Sequence, residues 1–202
     1  MRLGADLSSK AAARQAARAA RAALPEKQRR ARSAAITRRV VRLKVFREAR
    51  IVLAYRSVGH EVVTDALIRA ALRAGKRVAL PVSLKRSRRL VFRQIRSLAD
   101  DLVPGLAGIP EPKRTCPAIA GREADVVIVP GVAFDEEGWR IGAGAGFYDR
   151  FLANIPRLPR IGLAFEAQIV PAVPHNDLDE RLDMIVTEQR VIRCPGRRGN
   201  AK

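Results

Sequence analysis

The spacing of apolar residues changes character near residue 50. Before it, alanine, leucine and valine recur at helical intervals, and two helices are expected. Ser8 and Ser9 are N-cap candidates for an alanine-rich helix over about 9–23. Pro25 suits the first turn of a second helix running to about Lys44, because the N–H it lacks has no partner at a helix start. In the first helix Lys10, Arg14, Arg18 and Arg21 recur at i, i+4, i+8 and i+11, which puts them in one basic stripe.

Beyond residue 50 short β-rich runs alternate with helical patterns. Ile51–Tyr55, a helix capped by Thr64 and closed by Gly75, and Arg77–Val82 form a βαβ unit with a parallel strand pair. Leu90–Arg93 reads as a further strand and the proline- and glycine-rich stretch from Gly105 to Pro117 as a loop. Asp125–Pro130 (DVVIVP) is apolar enough for a central strand buried on both faces. Residues 146–154 read as a helix, and Arg160–Phe165, Met184–Thr187 and Val191–Arg193 as strands. The expected fold is a three-layer α/β/α sandwich with a mostly parallel central sheet, preceded by two N-terminal helices. One domain over 1–194, onto which helices 9–44 pack, would end in a disordered basic tail at 195–202.

Composition narrows the class. The 202 residues are 48% hydrophobic and 29% charged, a globular balance long enough for one core. No apolar run approaches the roughly 20 residues of a spanning helix, so no membrane partner is expected. Two separated cysteines, Cys116 and Cys194, with only His60 and His175 to assist, argue against structural zinc or a disulfide framework and for a cytoplasmic setting. The Arg-bearing, Ala-rich opening also has the composition of a mitochondrial-type transit peptide.

Charge complicates that picture. Lys plus Arg number 39 against 20 Asp plus Glu, a net +19, with 15 basic and 3 acidic residues in positions 1–50 but 9 and 13 in positions 111–190. Such a bias points to an anionic partner or to a solvated arginine surface. Nucleic acid is one rival reading. Nine aromatic residues and no RNA- or DNA-binding signature reduce it to weak, salt-sensitive backbone binding by the N-terminal region.

The chemistry-bearing stretch follows the buried strand. Gly142, Gly144 and Gly146 alternate and lead into a helix, an arrangement that lets backbone N–H groups gather around a phosphate. The spacing is neither that of a dinucleotide fingerprint nor that of a P-loop, and glycines alone also fit a tight turn. Arg140 ahead of the loop can neutralise phosphate charge, and Asp149 after it can hold Mg²⁺.

Arg140-Ile141-Gly142-Ala143-Gly144-Ala145-Gly146-Phe147-Tyr148-Asp149 matches in full the signature R-[LI]-G-x-G-x-G-[FY]-Y-D of the 5-formyltetrahydrofolate cyclo-ligase family, also called methenyltetrahydrofolate synthetases. The chain resembles that family over nearly its whole length. Lys10 and Arg14, Gly59–Val62 with Thr64, Lys76–Pro81, Gly108–Pro112, Asp125–Gly131 and Leu182–Glu188 fall where the family pattern puts them. It departs in Ala143 and Ala145, where some members carry lysine or bulkier residues, in Ala13, where leucine is usual, and in its charge.

The resemblance implies closure of 5-formyltetrahydrofolate to 5,10-methenyltetrahydrofolate, with ATP as co-substrate and Mg²⁺ as cofactor. The partners would be ATP and a reduced folate, with or without a polyglutamate tail. Lys10, Arg14 and Arg140 would meet the phosphates, and the backbone of Gly142, Ala143, Gly144, Ala145, Gly146 and Phe147, with Tyr148, would surround the nucleotide. Arg140, Tyr148 and Asp149 would be catalytic, and Asp149 and Asp183 would be the metal candidates, Asp183 reading equally as a turn-capping carboxylate. Glu61 would face the pterin, with Tyr55 and Trp139 lining the substrate; Phe92 reads as slot or core, and Arg18 and Arg21 as solvent-facing. A different activity on a similar scaffold, a sugar-phosphate isomerase or CoA-transferase-like enzyme, is the second rival, since fold does not fix function.

Overall fold

A computed structural model describes residues 9–196. Helices α1 (Lys10–Ala22), α2 (Glu26–Val40) and α3 (Lys44–Glu48) precede strand β1 (Ile51–Leu53); α4 (Asp65–Arg73) leads to β2 (Arg77–Leu84), and the chain turns back as β3 (Arg89–Ile95). A ribbon of β4 (Leu102–Pro104) and β5 (Pro110–Pro112) and an edge strand β6 (Ala118–Ile119) come before β7 (Val126–Val129). A second ribbon, β8 (Ala133–Phe134) and β9 (Arg140–Ile141), enters α5 (Phe147–Ala153), and β10 (Arg160–Leu163), β11 (Met184–Val186) and β12 (Val191–Arg193) follow.

Eight strands form the main sheet in the order β12-β11-β10-β7-β1-β2-β3-β6. β11, β10, β7, β1 and β2 run parallel, and antiparallel strands flank them at both edges. Side-chain alternation along β7 shows why the sheet has two covered faces. Val126 and Ile128 join the core under α2 and α4, with Ile36, Val40, Leu67 and Ile68, while Val127 and Val129 join the opposite core with Leu152 of α5. Each such aliphatic side chain withdrawn from water contributes about 1.5–3 kcal/mol before entropy is counted, so a strand buried on both faces anchors the sheet.

Helix α1 stands apart from these two layers. Its buried Ala13 and Ala17 pack against Val132, Ala133, Ile141, Val170 and Val173, so it lies on the β8–β9 ribbon. Ala13 is fully enclosed there, the short side chain allowing close approach of helix and ribbon.

Local expectations differ from the structure in three places. The second helix stops at Val40, and Leu43 is extended (φ −64°, ψ 134°) before α3 starts, a change of direction that brings Phe46 into the core beside Val40. The stretch from Gly105 to Pro117 contains β5, paired with β4. Thr64 makes no side-chain cap bond to α4; its buried hydroxyl donates to the Tyr55 carbonyl (2.8 Å) and accepts from the Ser57 N–H (3.0 Å), stapling the loop after β1. The tail expected at 195–202 lies, from residue 197 onward, outside the described residues.

Candidate active site

The parallel strands deliver the site at their carboxyl ends. β1 ends at Leu53, opposite Ala79, whereas β2 runs on to Leu84 with only β3 as partner. From β1 the chain moves to β2 on one side, and from β7 it moves to β10 on the other, so the sheet reverses its winding between β1 and β7. Open α/β sheets leave a crevice at such a point, and a cavity of about 280 Å³ opens here. Tyr55, Glu61, Pro81 and Pro130 line one part of it, and Arg140 with the glycine loop lines another.

The loop is held from two sides. Arg14 of α1 donates Nε–H to the Gly142 carbonyl (3.0 Å), with its Nη2 beside Gly144. Arg150 of α5 donates to the carbonyls of Ala145 and, at 3.0 Å, of Arg88. Gly144 (φ +115°) and Gly146 (φ +64°) adopt backbone conformations that a Cβ disfavours, and Gly146 caps the start of α5 in this form. At Gly142 an added Cβ would meet nothing within 4 Å, which leaves open space over that part of the cradle. α5 has only 7 residues, so individual loop amides outweigh any helix dipole as anion donors.

Arg140 is buried and rigidly tied. Its Nη2 donates to Asp149 Oδ1 (2.9 Å) and its Nη1 to the Glu180 carbonyl (2.6 Å), while the Glu180 N–H reaches the same Asp149 oxygen at 3.3 Å. Glu180 also takes a hydrogen bond from Arg160 (2.6 Å), so one acidic segment braces both ends of the signature. Among the described residues, two buried polar atoms here find no hydrogen-bond partner, Arg140 Nε and the Tyr148 hydroxyl. Native interiors seldom leave such groups bare, so each is a candidate ligand contact.

The opposite wall holds Glu61, whose Oε2 accepts from the Val58 N–H (3.0 Å). Burial pushes its carboxyl above the usual carboxylate range, against the opposing pull of that N–H and of Arg21. Burial likewise raises the phenols of Tyr55 and Tyr148, with the Glu61 charge adding to both. Both stay neutral hydrogen-bonding groups at ordinary pH.

The other residues singled out in the sequence lie further off. Lys10 pairs with Asp179 in a turn where the same carboxylate caps Asn176 (2.7 Å). Asp183 accepts from the Arg160 N–H (2.8 Å), and neither Lys10 nor Asp183 lines the cavity. Trp139 stacks on His175 with ring centroids 3.8 Å apart and is outside the lining as well. Phe92 is core, against Phe151. Arg21, expected in solvent, is half-buried: its Nε is covered without a partner, and it lies within electrostatic reach of Glu61 and Tyr55.

Glu111 was not anticipated. It is buried in the cavity wall, its Oε1 accepts from the Ser83 N–H (3.0 Å), and a Cβ at Gly105 would overlap its carboxyl group at 2.5 Å. The Gly-Ile-Pro-Glu-Pro stretch lies in the segment read as a loop, and nothing in it says that the carboxylate faces inward.

These features define an α/β protein with a candidate ligand site at the sheet's switch point, where a cation-braced glycine loop faces the half-buried Glu61 carboxylate. The chain belongs to the 5-formyltetrahydrofolate cyclo-ligase family, whose model matches residues 6–188. It is 37% identical over 175 residues to the 5-formyltetrahydrofolate cyclo-ligase of Escherichia coli K12, covering 85% of this chain and 95% of that one. The Mycolicibacterium smegmatis cyclo-ligase is 32% identical over 176 residues, covering 85% and 90%. In three dimensions the chain is similar to Aquifex aeolicus 5,10-methenyltetrahydrofolate synthetase, with a TM-score of 0.81, 31% identity and coverage of 93% and 94%. The Mycoplasma pneumoniae synthetase shares the fold at TM-score 0.72 and 21% identity, covering 89% of this chain and 99% of that one.

Proposed function

We propose that the protein closes 5-formyltetrahydrofolate to 5,10-methenyltetrahydrofolate, consuming ATP. The observation that carries this reading is the family signature along the cavity, which Arg140, Gly142, Ala143 and Ala145–Asp149 line, with Arg140 Nε and the Tyr148 hydroxyl buried and, among the described residues, unpartnered. The formyl oxygen is a poor leaving group until phosphorylated. In the proposed reaction the γ-phosphoryl group moves from ATP to that oxygen, nitrogen-10 attacks the formyl carbon and loses its proton, and phosphate departs with the oxygen. Phosphoryl transfer asks a protein for positioning and charge neutralisation more than for a nucleophile.

Arg14 and Arg140 with the loop amides would receive the phosphates, Lys10 joining them by exchanging Asp179 for a phosphate. Tyr148 would donate its free hydroxyl to the formyl or phosphoryl oxygen, and Glu61 would accept N–H groups of the pterin beside Tyr55. Among the described residues no cluster of three or more metal-ligating side chains occurs. A metal that arrives with ATP needs only one or two protein carboxylates, and Asp149 in the cavity wall fits that need. Mg²⁺ bound there would neutralise charge on the transferring group.

The test is to mix protein, 5-formyltetrahydrofolate, ATP and Mg²⁺ and follow the near-ultraviolet absorbance of the conjugated product. Absorbance should rise only with all components present. Product formed at full rate in EDTA, or without ATP, would overturn the ATP and metal assignments.

A further inference from the structure

Glu111 is a polar feature of the cavity that the proposed reaction leaves unused. β1 ends at Leu53, so no strand flanks the far end of β2 on that side, and the Ser83 N–H goes instead to Glu111 Oε1 (3.0 Å). β5 presents the residue between Pro110 and Pro112, whose rings fix the backbone on both sides, and its carboxyl group fills space that a Cβ at Gly105 would claim. A hydrogen bond, two prolines and a close glycine thus hold one carboxylate in one place. Its second oxygen, Oε2, takes no hydrogen bond or ion pair among the described residues, and unlike Arg140 Nε and the Tyr148 hydroxyl it is not sealed from water. In a residue that lines the cavity, that is the oxygen left to a ligand.

The surroundings select the ligand group. Leu90, Leu106, Ile109 and Pro110 make this part of the lining apolar, so an acceptor set among them suits an N–H carried by an apolar ring. We propose that Glu111 Oε2 receives the N–H of nitrogen-10, the secondary amine on the benzoyl ring of the reduced folate, and is a substrate-contacting residue of the ring closure. This deepens the folate reading above and rests on it. Nitrogen-10 must lie beside the formyl group to attack it, and the formyl oxygen must reach the glycine loop that receives the phosphates; Glu111 and that loop line the same cavity. Other ionisable groups of the lining are engaged: Arg56 pairs with Asp65 (3.0 Å), Arg140 pairs with Asp149 (2.9 Å), and Glu61 is given to the pterin. An N–H tied to Glu111 keeps its proton turned away from the formyl carbon and leaves the nitrogen lone pair to face it. The methenyl product has no hydrogen on nitrogen-10, so the same contact favours substrate over product.

The measurement is the dissociation constant, by titration calorimetry without ATP, of 5-formyltetrahydrofolate and of its 10-deaza analogue, in which a methylene replaces the nitrogen-10 N–H. Wild type, Glu111→Gln and Glu111→Met are compared, with thermal melts. Wild type should bind the natural ligand about ten- to a hundredfold more tightly than the analogue, the worth of one hydrogen bond to a carboxylate. In Glu111→Gln the Ser83 N–H fixes the orientation: the amide oxygen must stay at Ser83, which turns the NH2 group to the cavity. An acceptor becomes a donor with no change of shape. The melting temperature should therefore hold, and the two affinities should become equal through weakening of the natural ligand. Glu111→Met should lose the same preference but melt lower, since it strands the Ser83 N–H. Equal wild-type affinities for the two ligands, or a preference that survives in both variants, would overturn the contact and leave the folate reading intact. Equal weakening of both ligands in Glu111→Gln would make Glu111 a builder of the cavity wall and overturn the contact as well. No binding of 5-formyltetrahydrofolate by wild type would remove the folate reading and the contact with it.

Discussion

Both hydrogen bonds to Asp149 end on Oδ1, one from Arg140 and one from the Glu180 amide. Asp149→Asn can keep an oxygen there while losing the charge, so the fold should survive and turnover with ATP and Mg²⁺ should fall on the order of 100-fold or more. Steady-state kcat beside a thermal melt checks this, and a normal kcat would remove Asp149 from the chemistry. Tyr148 offers a test with opposite signs. Its buried hydroxyl has no partner, a cost of about 1–3 kcal/mol, so Tyr148→Phe should raise Tm by roughly 2–4 °C per kcal/mol recovered while lowering turnover. A variant that is both less stable and fully active would contradict both expectations. Such residues were legible because the signature is contiguous. Glu111 and Glu180 were not, since their partners are 20 to 40 positions away in sequence, as with Glu180–Arg160, Glu111–Ser83 and Glu180–Arg140, and no local pattern encodes that.

The glycines act through the elements they join. Gly146 opens α5 at φ +64°, where any Cβ is strained, so Gly146→Ala should cost about 1–2 kcal/mol, lower Tm by several degrees and raise KM for ATP. Gly142 is the control: it is not among the positive-φ glycines and a Cβ there meets nothing. Gly142→Ala should leave Tm unchanged, so any rise in KM for ATP reports space taken from the ligand. The periodicity of β1, α4, β2, β7 and β10 was readable because each buries a full stripe or both faces. The β8–β9 ribbon has two residues per strand, too short for a period-2 pattern to declare itself, and β4–β5 carries three prolines that read as loop. Thr64 shows the same limit, its cap-like position being overridden by tertiary bonds to the β1 loop.

For the molecule as a whole, a net charge of +19 on 202 residues means self-repulsion in the compact state. Added salt shortens the screening length from about 10 Å at 0.1 M to about 3 Å at 1 M, so Tm should rise with NaCl while KM for ATP also rises. A Tm that falls with salt would mean that attractive pairs such as Arg160–Glu180 and Arg140–Asp149 outweigh the excess charge. The docking of α1 also has a consequence for how the protein comes into being. Its bonds to Gly142 and Asp179 span 128 and 169 positions, and a 13-residue helix is marginal in water by itself. At ribosomal speeds of about 5–20 residues per second, α1 waits on the order of ten seconds or more for the surface that will hold it. A nascent chain therefore cannot dock α1 against the glycine loop until residues as far as Asp179 have been made, and the segment that emerges before the sheet is among the last to find its place.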